Sequence, residues 1–191
     1  MPYSLPIILG SSSRWRYQLL VEAGVEFTTL NPNIDEKAVF ANQPEQLALA
    51  IAKAKNAALV PQLNQPSILI TCDQVVIVNG EIYSKPESPE QARAYLRSYN
   101  QYPARSYTAV VLYNSQTNRA IEIVDTADIS FYPIPDHAIE AAIAAGDIFA
   151  CAGGFQIESH QLSQYVQKID GDIDSVKGLP IKKVLAALDQ L

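Results

Sequence analysis

Gly10-Ser11-Ser12-Ser13 follows the short apolar run Ile7-Ile8-Leu9 and precedes a helical stretch that carries Arg14 and Arg16. A strand, a serine loop and a helix in that order can turn free N–H groups, hydroxyls and guanidinium groups toward one anion. The same residues also describe a serine-capped helix with exposed arginines. No Gly-Lys-Ser/Thr follows, so the loop is not a Walker A motif. Lys55 lies on the apolar stripe Leu47, Ile51, Ala54 and Ala58 of the stretch 44–60, whereas Lys53 points away from it. An ammonium on such a stripe is either held inward to meet a phosphate or snorkels to water from its edge. Asp73 comes just after the buried-strand run Ile68-Leu69-Ile70-Thr71, at the end where open α/β sheets place their ligands. A carboxylate there can hold a divalent cation or take a proton from water. An aspartate in a turn between two strands fits that spacing as well. Lys85-Pro86, just before the next helix, reads equally as a phosphate-facing cation or a surface lysine. His137 and His160 have no partner at metal-ligand spacing and there is no Cys-x-x-Cys, so a zinc site is not expected. The serines lack the Gly-x-Ser-x-Gly elbow of a hydrolase triad.

The elements that must position these groups alternate along the chain. Strands are expected at 7–9, 68–71, 75–78, 81–83, 108–113, 120–132 and 165–169, and helices from about 14 to Gly24, over 44–60, from Ser88 to Tyr99, from Asp136 to Gly146 and over 181–188. Asn79-Gly80 reads as a type I′ hairpin turn. Ser88-Pro89-Glu90-Gln91 reads as a helix start with a capping box, and Gly146 suits a left-handed helix end. The expected class is α/β, with a central mixed sheet flanked by helices. No repeat, low-complexity tract or linker breaks the chain, so residues 1–191 are expected to form one domain, at most with two small lobes around a cleft.

Composition narrows the function. Hydrophobic residues make up 48% and charged residues 18% of 191 residues, enough for a sizeable core. A net charge of −6, from 14 basic and 20 acidic residues, argues against a basic nucleic-acid or membrane-binding surface. A small anionic ligand needs only a few local cations and stays open. No apolar run approaches the roughly 20 residues of a membrane span, and Pro2 to Ile8 does not read as a signal peptide. Cys72 and Cys151 stand among apolar neighbours, so reduced thiols and a cytoplasmic location are expected.

Taken in order over about residues 7–181, these stretches resemble the Maf family of nucleoside triphosphate pyrophosphatases. The family's Leu-Ala-Ser-x-Ser-Pro-Arg-Arg-x-x-Leu-Leu is matched by the stretch from Leu9-Gly10-Ser11 to Leu19-Leu20. Its later motifs are matched by Lys55, Asp73-Gln74-Val75, Gly80-Glu81 with Lys85-Pro86, Tyr107-Thr108, Ala152-Gly153, Ile169-Asp170-Gly171-Asp172 and Val176-Lys177-Gly178-Leu179-Pro180. The resemblance implies cleavage between the α and β phosphates of a nucleotide, with a divalent metal (Mg, Mn or Co). It implies Asp73 as catalytic and metal-binding carboxylate, Lys55 and Lys85 as catalytic cations, and Ser11, Ser13 and Arg16 on the phosphates. Trp15, Gln74 and Glu158 match the branch that acts on 7-methyl-GTP, where the dTTP/UTP branch has Arg, Thr and Gln. Chemistry agrees, since an indole face attracts the cationic 7-methylguanine by roughly 0.5–2 kcal/mol. A carboxylate also accepts both N1–H and N2–H of guanine. The resemblance further suggests a homodimer, and leaves a low-turnover nucleotide-binding regulator of cell division as the alternative of another class. Arg14 replaces the family's proline, and Tyr99-Asn100 replace its Ser-Gly. The segment 158–161 is one residue longer. Asn33 stands where a Glu-x-Asp/Glu-Glu run begins, which would pass any metal duty of that glutamate to Asp35 or Glu36.

Overall fold

A computed structural model of the chain describes residues 3–191, so Pro2 of the amino-terminal stretch lies outside it. The strands are β1 (Ile7–Gly10), β2 (Phe27–Leu30), β3 (Ile68–Val78), β4 (Glu81–Ile82), β5 (Ala104–Asn114), β6 (Arg119–Phe131) and β7 (Val166–Asp170). The helices are α1 (Arg14–Glu22), α2 (Pro44–Leu59), α3 (Pro89–Ser98), α4 (Asp136–Ala145), α5 (Ile173–Val176) and α6 (Ile181–Leu188). The strands form one mixed sheet in the order β2-β1-β3-β5-β6-β7, with β4 paired to β3. The α/β class is therefore as expected. β1 runs parallel to both β2 and β3, while β4 and β7 run antiparallel to their partners. None of the described helices is long and apolar enough to cross a membrane.

Contacts divide the described residues into two units, those up to 73 with 108–125 and 178–191 in one, and 74–107 and 126–177 in the other. The first has a core of aliphatic side chains from β1, β3, β5, α1 and α6, among them Leu9, Leu20, Ile70, Leu112 and Val184, with Leu179 from the turn before α6. The second is more aromatic. Tyr99, Phe131 and Phe155 meet with ring centroids 5.0–5.4 Å apart beside Leu96, Ile129 and Ile139.

Local chemistry explains most element ends. Asn79 and Gly80 adopt φ of 48° and 83°, the left-handed pair that a type I′ turn requires. Gly146 ends α4 at φ 82°. Ser88 Oγ accepts from Gln91 N at 3.2 Å and caps α3. The reciprocal half of the expected capping box goes elsewhere, because Gln91 Oε1 accepts from Glu87 N at 2.7 Å.

Two expectations change. The runs 68–71 and 75–78 are one strand of 11 residues, β3, so Asp73 lies within it rather than in a turn. β2 lies on the far side of β1, where the sequence reading placed no strand. Its Phe-Thr-Thr-Leu is short and only half-buried, too weak a pattern to read by period.

Gly171, after β7, holds φ at 134°, and a Cβ there would come within 2.7 Å of Ala127 Cβ and 2.9 Å of Thr126 O. Backbone cannot step aside as a side-chain tip can. Gly171→Ala is expected to cost roughly 2 kcal/mol or more in urea unfolding, from strain and overpacking together; a loss within experimental error would refute that packing.

Candidate active site

β1 and β3 stay paired only to Gly10 and Thr71. Two residues further on, Asp73 has passed the carboxyl end of its parallel neighbour, where a doubly wound sheet opens a ligand position. Asp73 thus lies past the end of β1 rather than, as the sequence reading expects, at the end of its own strand. Asp73 is 7% exposed.

α2 brings Lys55 to it. Thr71 Oγ1 donates to Ala52 O at 2.9 Å and ties α2 to β3 one turn before the lysine. Lys55 is 5% exposed, so the stripe position is buried rather than snorkelling. Its Nζ lies 2.7 Å from Asp73 Oδ1 and 2.7 Å from Glu36 Oε1, and donates to Cys72 O at 3.4 Å. Glu36 comes from a 3₁₀ turn, Glu36–Ala38, whose first residue follows the cap Asp35. Lys53, as expected, points elsewhere and pairs with Glu122 at 2.8 Å.

The serine loop lies on the same unit. Ser13 caps α1, its hydroxyl accepting from Arg16 N. Ser11 Oγ accepts from Ser13 N at 3.2 Å and from Arg16 Nη1 at 3.4 Å. Arg16 also donates through Nη1 to Cys72 O at 2.9 Å and through Nε to Gly178 O at 3.0 Å. Gly178 is needed there, at φ 105°, with room for a Cβ only 3.2 Å from Arg16 Nε. One backbone carbonyl, that of Cys72, thus receives both Lys55 and Arg16. The Arg14 guanidinium lies over the Trp15 ring, 4.2 Å from the centroid.

Burial pushes the Asp73 carboxyl above the usual aspartate range, with Glu36 adding to the rise and Lys55 and Arg16 opposing it. The sum is a carboxylate more basic than an exposed one, beside two cations. Two carboxylates gathered on one ammonium also suit a hard divalent cation, which is commonly held by one or two carboxylates plus substrate phosphates.

In the second unit, Gln74 Nε2 donates to Ser175 O and Val176 O, each at 3.0 Å. Glu158 Oε1 lies 2.7 Å from Lys177 Nζ. Lys85 is exposed on a segment held by Gly153, whose N–H donates to Tyr83 O at 2.8 Å and Ser84 O at 3.3 Å. Tyr99 Oη donates to Gly153 O at 2.6 Å, so the tyrosine that departs from the family motif supports this turn.

Residues 6–191 match the family described as Maf-like protein. The chain belongs to that family. A 7-methyl-GTP pyrophosphatase of Dictyostelium discoideum is 40% identical to this Maf-like chain, over 93% of the chain and 92% of that protein. One from Vibrio vulnificus is 33% identical over 96% and 94%. A dTTP/UTP pyrophosphatase of Salinibacter ruber is 32% identical over 97% and 90%.

Of the site residues read from sequence, Ser11, Arg16, Lys55 and Asp73 come together. Glu36 joins them and was foreseen only as a stand-in for Asn33, because an exposed Asp-Glu pair carries no spacing signal of its own. Removing a buried ammonium from between two carboxylates leaves uncompensated charge. Lys55→Met in the Maf-like chain is expected to lose about 3–5 kcal/mol of unfolding free energy. Lys55→Met/Asp73→Asn should recover part of it. A double variant no more stable than Lys55→Met would contradict the pairing.

Proposed function

We propose that this Maf-like chain hydrolyses the bond between the α and β phosphates of 7-methyl-GTP, giving the monophosphate and pyrophosphate. The observation that carries the reaction is the buried Lys55 ammonium between Asp73 and Glu36, next to Ser11 and Arg16. Asp73, made more basic by burial, takes the proton of the attacking water. Water attacks the α phosphorus, the bond to the bridging oxygen breaks, and pyrophosphate leaves with that oxygen. Lys55 and Arg16 offset the charge that develops, and the resemblance assigns Lys85 the same duty, with Ser11 and Ser13 on the phosphates. Asp73, with Glu36, would hold a divalent cation such as Mg²⁺, Mn²⁺ or Co²⁺, which when bound neutralises and polarises the phosphates.

For the base, support comes from Trp15, Gln74 and Glu158, and from the two relatives that carry the 7-methyl-GTP name. One observation favours the second reading, dTTP or UTP: Arg14 already lies over an indole face and opposes a second cation there. A cationic base uses the opposite face or takes Arg14's place. We place the enzyme in the cytoplasm, with a homodimer as its assembly.

The test is pyrophosphate release from 7-methyl-GTP, GTP, dTTP and UTP with each of the three metals. 7-methyl-GTP is expected to lead, and Asp73→Asn to lower turnover by about 10²–10⁴-fold with its circular dichroism kept at the assay temperature and its Tm lowered, since Lys55 loses a buried partner. A lead by UTP or dTTP would overturn the base reading alone. An active Asp73→Asn would remove Asp73 from the mechanism. Saturable binding without release would leave a nucleotide-binding regulator.

A further inference from the structure

Gln74 and Glu158 are far apart in sequence, yet the second unit links them through one short turn. Both amide hydrogens of Gln74 go to the last residues of α5, Ser175 and Val176. The next residue is Lys177, whose Nζ reaches Glu158 Oε1 at 2.7 Å and lies 3.8 Å from Asp174 Oδ1. The lysine side chain is 17% exposed and the glutamate 46%, so the ammonium is the fixed member and the carboxylate the one it holds. Glu158 has a second anchor in its backbone: the residue after it, Ser159, is buried and accepts from Leu162 N at 3.0 Å.

We propose that Lys177 is a positioning residue for base specificity: set in place by Gln74's hold on α5, it fixes the Glu158 carboxylate in one orientation. The inference rests on the reading of Glu158 as the group that meets the base. An outward glutamate samples several rotamers, and a base that binds it must freeze one. An ion pair formed beforehand removes that cost. A carboxylate has about four lone-pair directions, so one ammonium leaves room for two base N–H donors. Threonine at position 74, as in the pyrimidine branch, carries one short hydroxyl and cannot bond two successive carbonyls. Part of the effect of residue 74 on base choice then passes through Lys177, with no contact between residue 74 and the base.

The experiment measures kcat and KM for 7-methyl-GTP and UTP on the wild type, Lys177→Met, Lys177→Arg, Glu158→Gln and Lys177→Met/Glu158→Gln. Lys177→Met keeps the side-chain stem and is expected to change the 7-methyl-GTP to UTP ratio of kcat/KM by about tenfold, through KM. Lys177→Arg should restore most of it, and Lys177→Met should add nothing in the Glu158→Gln background. A role in folding alone would lower both substrates together and leave their ratio unmoved. An unchanged ratio in Lys177→Met, or additive effects in the double variant, overturns the proposal. Failure of the 7-methyl-GTP reading shows separately, in the wild type, as a ratio that favours UTP. Lys177 is then judged by the same cycle: a shared, non-additive shift of that ratio upholds it and independent shifts refute it.

Discussion

A lysine ammonium buried between two carboxylates is the constraint around which the first unit is arranged. Taking the Lys55 and Asp73 charges out of water costs several kcal/mol per ion unless geometry and further hydrogen bonds compensate, while Glu36 stays half-exposed. Here the compensation is detailed. Asp73 and Glu36 each approach Lys55 Nζ to 2.7 Å, and Cys72 O accepts from both Lys55 and Arg16. The carriers of Lys55 and Arg16 are tied down: α2 to β3 by Thr71, α1 by the Ser13 cap, and Arg16 to Gly178. The balance is not complete, since Asp73 keeps a carboxyl raised by burial. A buried, incompletely balanced carboxylate beside fixed cations is suited to hold a proton or a metal and to face a polyphosphate.

Much of this was legible in the sequence because it depends on local periodicity. Lys55 sits on a helical apolar stripe, and a helix that buries that stripe must bury the lysine with it. Asn79-Gly80, Ser88 and Gly146 announced their turns and caps through backbone preferences that need no tertiary information. Asp73 reads as a strand end because it follows the apolar run 68–71, but β3 continues through it while β1 stops. Which of two neighbouring strands ends is a property of the sheet, and no window along one strand contains it.

The parts that stayed hidden are long-range or unpatterned. Glu36 reaches Lys55 from a 3₁₀ turn with no period to betray it. Arg14 reads as a second phosphate ligand next to Arg16, but residues two apart on a helix point to nearly opposite sides, and it lies on Trp15 instead. Gln74, Lys177 and Glu158 form a relay that only the folded second unit assembles. In that unit Tyr99 replaces a small residue of the family motif, and its hydroxyl supports the Gly153 turn that holds the Lys85 segment.

In the proposed reaction the Lys55–Asp73–Glu36 group directs water to the α phosphorus, and phosphorus NMR of the products formed in ¹⁸O-labelled water tests this most directly. Nucleoside monophosphate and pyrophosphate are expected in equal amounts, with the label on the monophosphate alone. Label in pyrophosphate, or release of orthophosphate and a nucleoside diphosphate, would place the attack on another phosphorus and contradict it.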